Sequence, residues 1–125
     1  YFNIVTETWP ADPSFFVTEK IFKPIVNLQP FIVCGLPGNL RYLKEKGYET
    51  FDEWFVPDYD NVYDQSKRMY YLTREIIRIA RMSHEELHKK YQLTWEKCLY
   101  NRKKFFSTNH AEGFIDLVKA IGDIK

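Results

Sequence analysis

The stretch Phe16-Val17-Thr18-Glu19-Lys20-Ile21-Phe22-Lys23-Pro24-Ile25, with the apolar run Pro30-Phe31-Ile32-Val33-Cys34-Gly35 close behind it, decides how the chain reads. A polar helix start is followed by a short strand that is apolar throughout. Thr18 has the side chain of an N-cap, and the helix it opens runs to about Leu28, with Phe22, Ile25, Val26 and Leu28 on or near one face. Pro24 lies past the first turn and is expected to kink that helix or shift its start. Pro30 to Cys34, bounded by Pro and Gly, suits a strand covered on both faces, as in a parallel sheet.

Working outward, Phe2 to Thr6 reads as a short strand that ends at the polar Glu7. Two prolines make a loop of Trp9 to Ser14. Downstream, Gly35-Leu36-Pro37-Gly38 is a turn. Asn39 to Lys46 has helical spacing, with Leu40 and Leu43 inward, Arg41, Lys44 and Lys46 outward, and Gly47 as C-cap. Strand, helix, strand, helix is the order of a right-handed α/β unit. Tyr48 to Phe51 reads as a short edge strand, and Pro57 prevents a long helix in the acidic, aromatic segment 52–64.

Helical periodicity returns from about Asn61 to Met82 through Met69, Leu72, Ile76 and Ile79. Ser83-His84-Glu85-Glu86 is a capping box. The helix it starts carries Leu87, Tyr91, Trp95, Cys98 and Phe105 on one stripe, with Glu85/Lys89 and Glu86/Lys90 as favourable pairs on the other face. Asn109, with Glu112 three positions on, signals a last helix whose buried face is Phe114, Leu117, Val118 and Ile121. The expected fold class is α/β, a Rossmann-like parallel sheet fragment followed by C-terminal helices. One domain spans 1–125, with an α/β part at 1–56 and a mainly helical part at 57–125.

Bulk properties narrow the partners. Eighteen basic residues against seventeen acidic ones leave no global field for phosphate neutralisation, so no nucleic-acid partner is expected. The two cysteines, Cys34 and Cys98, lack metal-ligand spacing and read as buried thiols in a reducing compartment. No apolar run approaches the ~18 residues of a membrane span. The expected location is cytoplasmic. The chain opens on Tyr1-Phe2-Asn3 without an initiator Met and reads as a fragment.

If Thr18 caps the helix, Glu19 and Lys20 occupy its first two positions, where unpaired N–H groups and the positive end of the dipole face outward. That arrangement suits a diphosphate. On spacing alone the plainer account is favoured, with Glu19 complementing the dipole and Lys20 standing as a solvated charge. Gly35 and Gly38, in a strand-to-helix turn, would let backbone N–H groups approach a phosphate, though the turn is neither a Walker motif nor a dinucleotide fingerprint. An ordinary tight turn accounts for them too. Glu7 and Gly35 both fall at the carboxyl ends of strands, where open parallel sheets hold ligands.

Other clusters read as structure. His84 and His88 have i,i+4 spacing but no third ligand nearby in sequence, so these two and His110 read as surface residues and no metal is expected. Asp58, Asp60 and Asp64 with Tyr59 and Tyr63 suit either a cation or sugar contact or a polar loop before a helix. Arg68, Arg74, Arg78 and Arg81 do not share one stripe and read as a solvated, salt-bridged face.

Glu7, together with Val17-Thr18-Glu19-Lys20 through Gly35-Leu36-Pro37-Gly38, resembles the donor-binding half of GT-B glycosyltransferases, particularly the fucosyltransferase type; the likeness covers roughly the first third of the chain. The segments Leu40 to Leu43, Gly47 to Phe51 and Tyr59-Asp60 are similar to uncharacterised bacterial and viral proteins of the same superfamily. The resemblance implies that Glu19 binds the nucleotide's ribose hydroxyls, Lys20 contacts its phosphates and Glu7 faces the sugar. It implies a donor site made of Glu7, Thr18, Glu19, Lys20, Gly35 and Gly38, with no catalytic residue and no bound metal. The partners it implies are a nucleotide sugar, a carbohydrate acceptor and a missing N-terminal domain that packs against this one and supplies the general base. The family pattern has an Asn or Ser soon after the first carboxylate, where this chain has Thr8-Trp9, which leaves sugar and base open. The alternative is a non-catalytic α/β module for carbohydrate or protein interaction.

Overall fold

Two short parallel strands lie at the centre of the molecule. In the computed structural model, which describes residues 1–7 and 19–107, β1 (Asn3–Thr6) pairs with β2 (Phe31–Cys34) in the register Asn3 to Phe31, Ile4 to Ile32, Val5 to Val33 and Thr6 to Cys34. The ladder extends at both ends, with the Asn3 amide donating to Pro30 O at 2.9 Å and the Glu7 amide to Cys34 O at 2.9 Å. Phe31, Ile32 and Val33 are all buried, as the uninterrupted apolar run requires. Parallel pairing demands a crossover, and α1 (Phe22–Val26) lies in it, preceded by the 3-10 turn Glu19–Ile21.

The first helix is shorter than its sequence suggests. Its cap residue is Ile21, without a side-chain hydrogen bond, and Thr18 lies outside the described residues. Pro24 sits at the third helical position, where its missing N–H is one of the donors left unpaired in any case. The proline therefore fixes where the α-helix begins. α1 ends in a Schellman motif, with Gln29 N donating to Pro24 O at 2.9 Å and Leu28 N to Ile25 O at 3.3 Å. The left-handed position is held by Leu28 at φ 56°, a conformation that costs a non-glycine residue ~1–2 kcal/mol.

α2 (Asn39–Glu45) ends in the same motif, but there the left-handed residue is Gly47, as the sequence indicates. α3 (Gln65–Ala80) is capped by Asp64, whose carboxylate accepts from Lys67 N at 2.9 Å. α4 (His84–Phe106) starts in the expected capping box: Ser83 Oγ accepts from Glu86 N at 3.2 Å and Glu86 Oε2 from Ser83 N at 2.7 Å. Pro57–Asn61 is a 3-10 turn, in keeping with Pro57 as a breaker. The described part is thus α/β, with a small two-stranded parallel sheet and four α-helices.

One cluster of buried side chains joins these elements. Phe31 meets Phe51 at 5.0 Å between ring centroids, Trp54 meets Phe2 at 4.9 Å, and Phe22 on α1 meets Phe105 on α4 at 4.8 Å. Trp54, Phe31, Phe51 and Phe105 are fully enclosed, each contributing ~1.5–3 kcal/mol or more by leaving water.

The segment after Gly47 departs from expectation. Residues 48–51 form no strand, because their backbone groups are bonded by side chains of α4. The Asn101 side chain accepts from Glu49 N at 2.8 Å and donates to Glu49 O at 3.0 Å, as a neighbouring strand would. Lys97 Nζ donates to Thr50 O at 2.9 Å, Tyr100 Oη to Gly47 O at 2.9 Å and Lys90 Nζ to Glu53 O at 2.6 Å. Hence Lys90 does not pair with Glu86, whereas Glu85 and Lys89 do pair, at 3.5 Å. The buried line of α4 is Thr94, Cys98, Asn101 and Phe105, with Leu87 and Tyr91 half-buried and Trp95 exposed.

The arginines of α3 are not a uniform solvated face. Arg68 is buried, and Arg78 folds back to donate to the buried Glu75 at 2.6 Å and to Trp54 O at 2.7 Å. Glu75 also accepts from Val56 N at 3.3 Å. The expected loop 9–14 and the helix from Asn109 lie outside the described residues. Among the described residues, no helix is long and apolar enough to cross a membrane.

Candidate functional site

Parallel pairing brings the carboxyl ends of β1 and β2 to the same edge, and with them Glu7 and Gly35. Glu7 is buried there at 9 % exposure. Gly35 opens the turn into α2, whose first residue, Asn39, turns back toward it. A methyl group placed on Gly35 would lie 2.4 Å from Asn39 Nδ2 and 3.0 Å from Glu7 Cβ. Only glycine lets the three meet so closely. The strand ends therefore gather a carboxylate, a bare stretch of backbone and a carboxamide.

Asn39 is the unusual member. It is 1 % exposed, and neither its Nδ2 nor its Oδ1 has a hydrogen-bond partner among the described residues. A buried carboxamide with no partner costs ~1–3 kcal/mol, so proteins rarely keep one without a use. Sequence reasoning missed it because Asn39 reads along the chain only as the first residue of a helix, and its burial depends on how that helix packs. The structure gives the cap position to Gly38 at φ 88°.

The amino end of α2 is closed by an internal anion. Asp60 accepts from Leu40 N through Oδ1 and from Arg41 N through Oδ2, both at 3.1 Å, while Gly38 N donates to Asp60 O at 2.9 Å. Three amides of this turn, those of Gly38, Leu40 and Arg41, are thus bonded within the chain. Tyr59, beside it, donates to Val33 O at 3.0 Å. Burial first, and then the Asp60 carboxylate, push the Tyr59 phenol far above its ordinary value. Asp60 and Asp64 thus serve the turn and the cap of α3, and Asp58 is exposed. Arg41 is exposed, and its guanidinium lies over Gly38, 3.2 Å from where a Cβ would stand.

Glu19 and Lys20 open the 3-10 turn before α1, and Lys20 is exposed. Cys34 is half-buried at the end of β2, while Cys98 is fully enclosed in α4, where burial pushes its thiol up to about 11. A thiol so protected is a packing group and no nucleophile. Among the described residues, no group of three or more His, Cys, Asp or Glu side chains is placed to hold a metal ion.

No family model, no curated protein and no solved structure matches the chain.

Proposed function

We propose that the chain is the donor-binding part of a glycosyltransferase, which moves a sugar from a nucleoside diphosphate onto a carbohydrate or other acceptor. The observation that carries this reading is the meeting of Glu7, Gly35 and the unpartnered Asn39 at the carboxyl ends of two parallel strands. Open parallel sheets hold ligands at that edge. A buried carboxamide with idle donors and acceptors suits the hydroxyls of a sugar or ribose. Glu7 faces the sugar, the bare backbone of Gly35 lets the ligand approach closely, and Arg41 adds a cation near the turn.

In this reading Thr18, Glu19 and Lys20 follow the GT-B pattern, with Glu19 on the ribose hydroxyls and Lys20 stabilising charge on the departing diphosphate. The sheet is the remnant of a Rossmann-like, C-terminal half, and Gly38 contributes through turn geometry. No resident metal takes part in the transfer. A second, N-terminal domain packs over the strand ends and brings the general base, so the 125 residues bind donor without turning it over, in the cytoplasm. Calorimetry with UDP, GDP and their sugar conjugates tests this. Binding that disappears in Glu19→Ala and Lys20→Ala supports a donor site, and a chain that takes up none of these ligands overturns it.

A non-catalytic interaction module is the competing reading, favoured by the exposed Tyr63, Tyr70 and Ile77 at and along α3. Retention of a protein or glycan partner by a chain that ignores nucleotides would decide for it.

A further inference from the structure

The histidines that lack a third ligand in the sequence acquire one in space. His84 and His88 lie one turn apart at the start of α4, and the two residues ahead of β1 bring Tyr1 against both. Tyr1 Oη is 3.5 Å from His84 Nε2 and 3.2 Å from His88 Nδ1. The Tyr1 ring packs 5.3 Å from one imidazole, 5.8 Å from the other and 5.5 Å from Tyr91. All three donors are exposed to solvent, Tyr1 at 43 %.

We propose that Tyr1, His84 and His88 form a binding site for a divalent transition metal of the zinc class, open to solvent on its remaining side. Ligands about 2.0–2.1 Å from a tetrahedral zinc stand roughly 3.3 Å from one another. The two observed separations, 3.5 and 3.2 Å, bracket that value before any metal enters. Two imidazoles and a phenolic oxygen are suitable donors for zinc, nickel or copper and poor ones for magnesium or calcium, which prefer carboxylates and carbonyls. A phenol has a single proton and can donate to only one imidazole acceptor at a time, whereas a cation is bonded by all three groups together.

Local charge is compatible with a cation. His84 is the first residue of α4, whose positive dipole end opposes a metal, but Glu85 and Glu86 occupy the same turn and offset it. Neither carboxylate competes as a ligand, since Glu85 pairs with Lys89 and Glu86 closes the capping box. Beside the donors, His88, Tyr91, Gln92 and Trp95 line an open hollow that leaves room for water or an exogenous ligand on the metal. On binding, the Tyr1 phenol gives its proton to the buffer and its oxygen becomes the third ligand.

The site is separate from the strand-end cluster. Tyr1 precedes β1 and Glu7 follows it, so six steps along an extended chain, roughly 20 Å, separate them. A metal here would clip the amino end of β1 to α4 and would leave donor binding unchanged.

Titration of the full chain with zinc chloride, followed by calorimetry and by the ultraviolet difference spectrum of tyrosinate, tests the proposal. One zinc per chain and one tyrosinate per zinc are expected. His84→Ala and His88→Ala should each weaken binding by more than about 10-fold, and Tyr1→Phe should weaken it by about 10-fold and abolish the tyrosinate signal. Tyr1, His84 and His88 are exposed in the structure, so thermal melts of the three variants without metal should match the native chain. Absence of zinc binding, or zinc held as tightly by Tyr1→Phe as by the native chain, would overturn the site.

Discussion

Two asparagines, each 1 % exposed, divide the molecule into a part that is satisfied and a part that is not. Asn101, on α4, spends its carboxamide on both backbone groups of Glu49. Asn39, at the strand ends, has no partner for either atom among the described residues. On the same helix the buried Thr94 is engaged as well: Trp54 Nε1 donates to Thr94 Oγ1 at 3.1 Å, and Thr94 Oγ1 donates in turn to Lys90 O at 3.0 Å. The same residue type at the same depth is therefore structural in one place and idle in the other. An idle group in a well-packed protein is where a ligand is best sought.

The contrast can be broken from either side. The largest effect is expected from Asn101→Ala, which removes the buried side chain that bonds both backbone groups of Glu49 and should lower stability by about 3 kcal/mol in urea denaturation. Thr94→Val keeps the shape but strands the Trp54 indole N–H, and a loss of about 2 kcal/mol is expected by the same measurement. Gly35→Ala drives a methyl group into Asn39 and Glu7, with an expected loss of about 1–2 kcal/mol together with loss of nucleotide-sugar binding. The smallest change in stability belongs to Asn39→Leu, within about 1 kcal/mol of the native chain, because no hydrogen bond is given up. That variant should fold normally and fail to bind donor. An Asn39→Leu chain destabilised as much as Asn101→Ala would erase the distinction between the two residues.

A further check follows from Cys98, on the satisfied side. Burial raises its thiol from 9.0 to about 11 in the folded chain, so the folded state favours the neutral form. Its contribution to stability is complete below pH 9.0 and is lost as pH rises toward about 11, and a series of thermal melts across that window should show the decline, reduced in Cys98→Ala.

Much of the framework could be read along the chain. The apolar run 31–34 and the short strand that ends at Glu7 locate the parallel pair, Pro24 sets the start of α1, and Ser83 with Glu86 fixes the first turn of α4. What was hidden depends on contacts between distant residues. Gly47 announces the end of α2, but Leu28 adopts the same backbone state with no glycine to mark it, held by packing that local pattern does not reveal. Tyr48 to Phe51 has strand composition, yet its hydrogen bonds are supplied 52 residues later by Asn101. Arg68 and Glu75 look like members of a charged surface and are buried, Glu75 with a bond from the distant Val56 N. The candidate site shows the same division: Glu7 and Gly35 stand at strand ends that periodicity locates, whereas the isolation of Asn39 is a property of the folded packing alone.

The side chains of α4 that grip the backbone of residues 47–53 have a kinetic corollary. That segment has no ladder of its own, so it can settle only after a helix made much later in the chain has already formed, and closing so long an interval is entropically slow. Deuterium uptake at the Glu49 amide should then follow the opening of α4 rather than any local fraying. A mutation placed on the helix would be reported first by protons half a chain away.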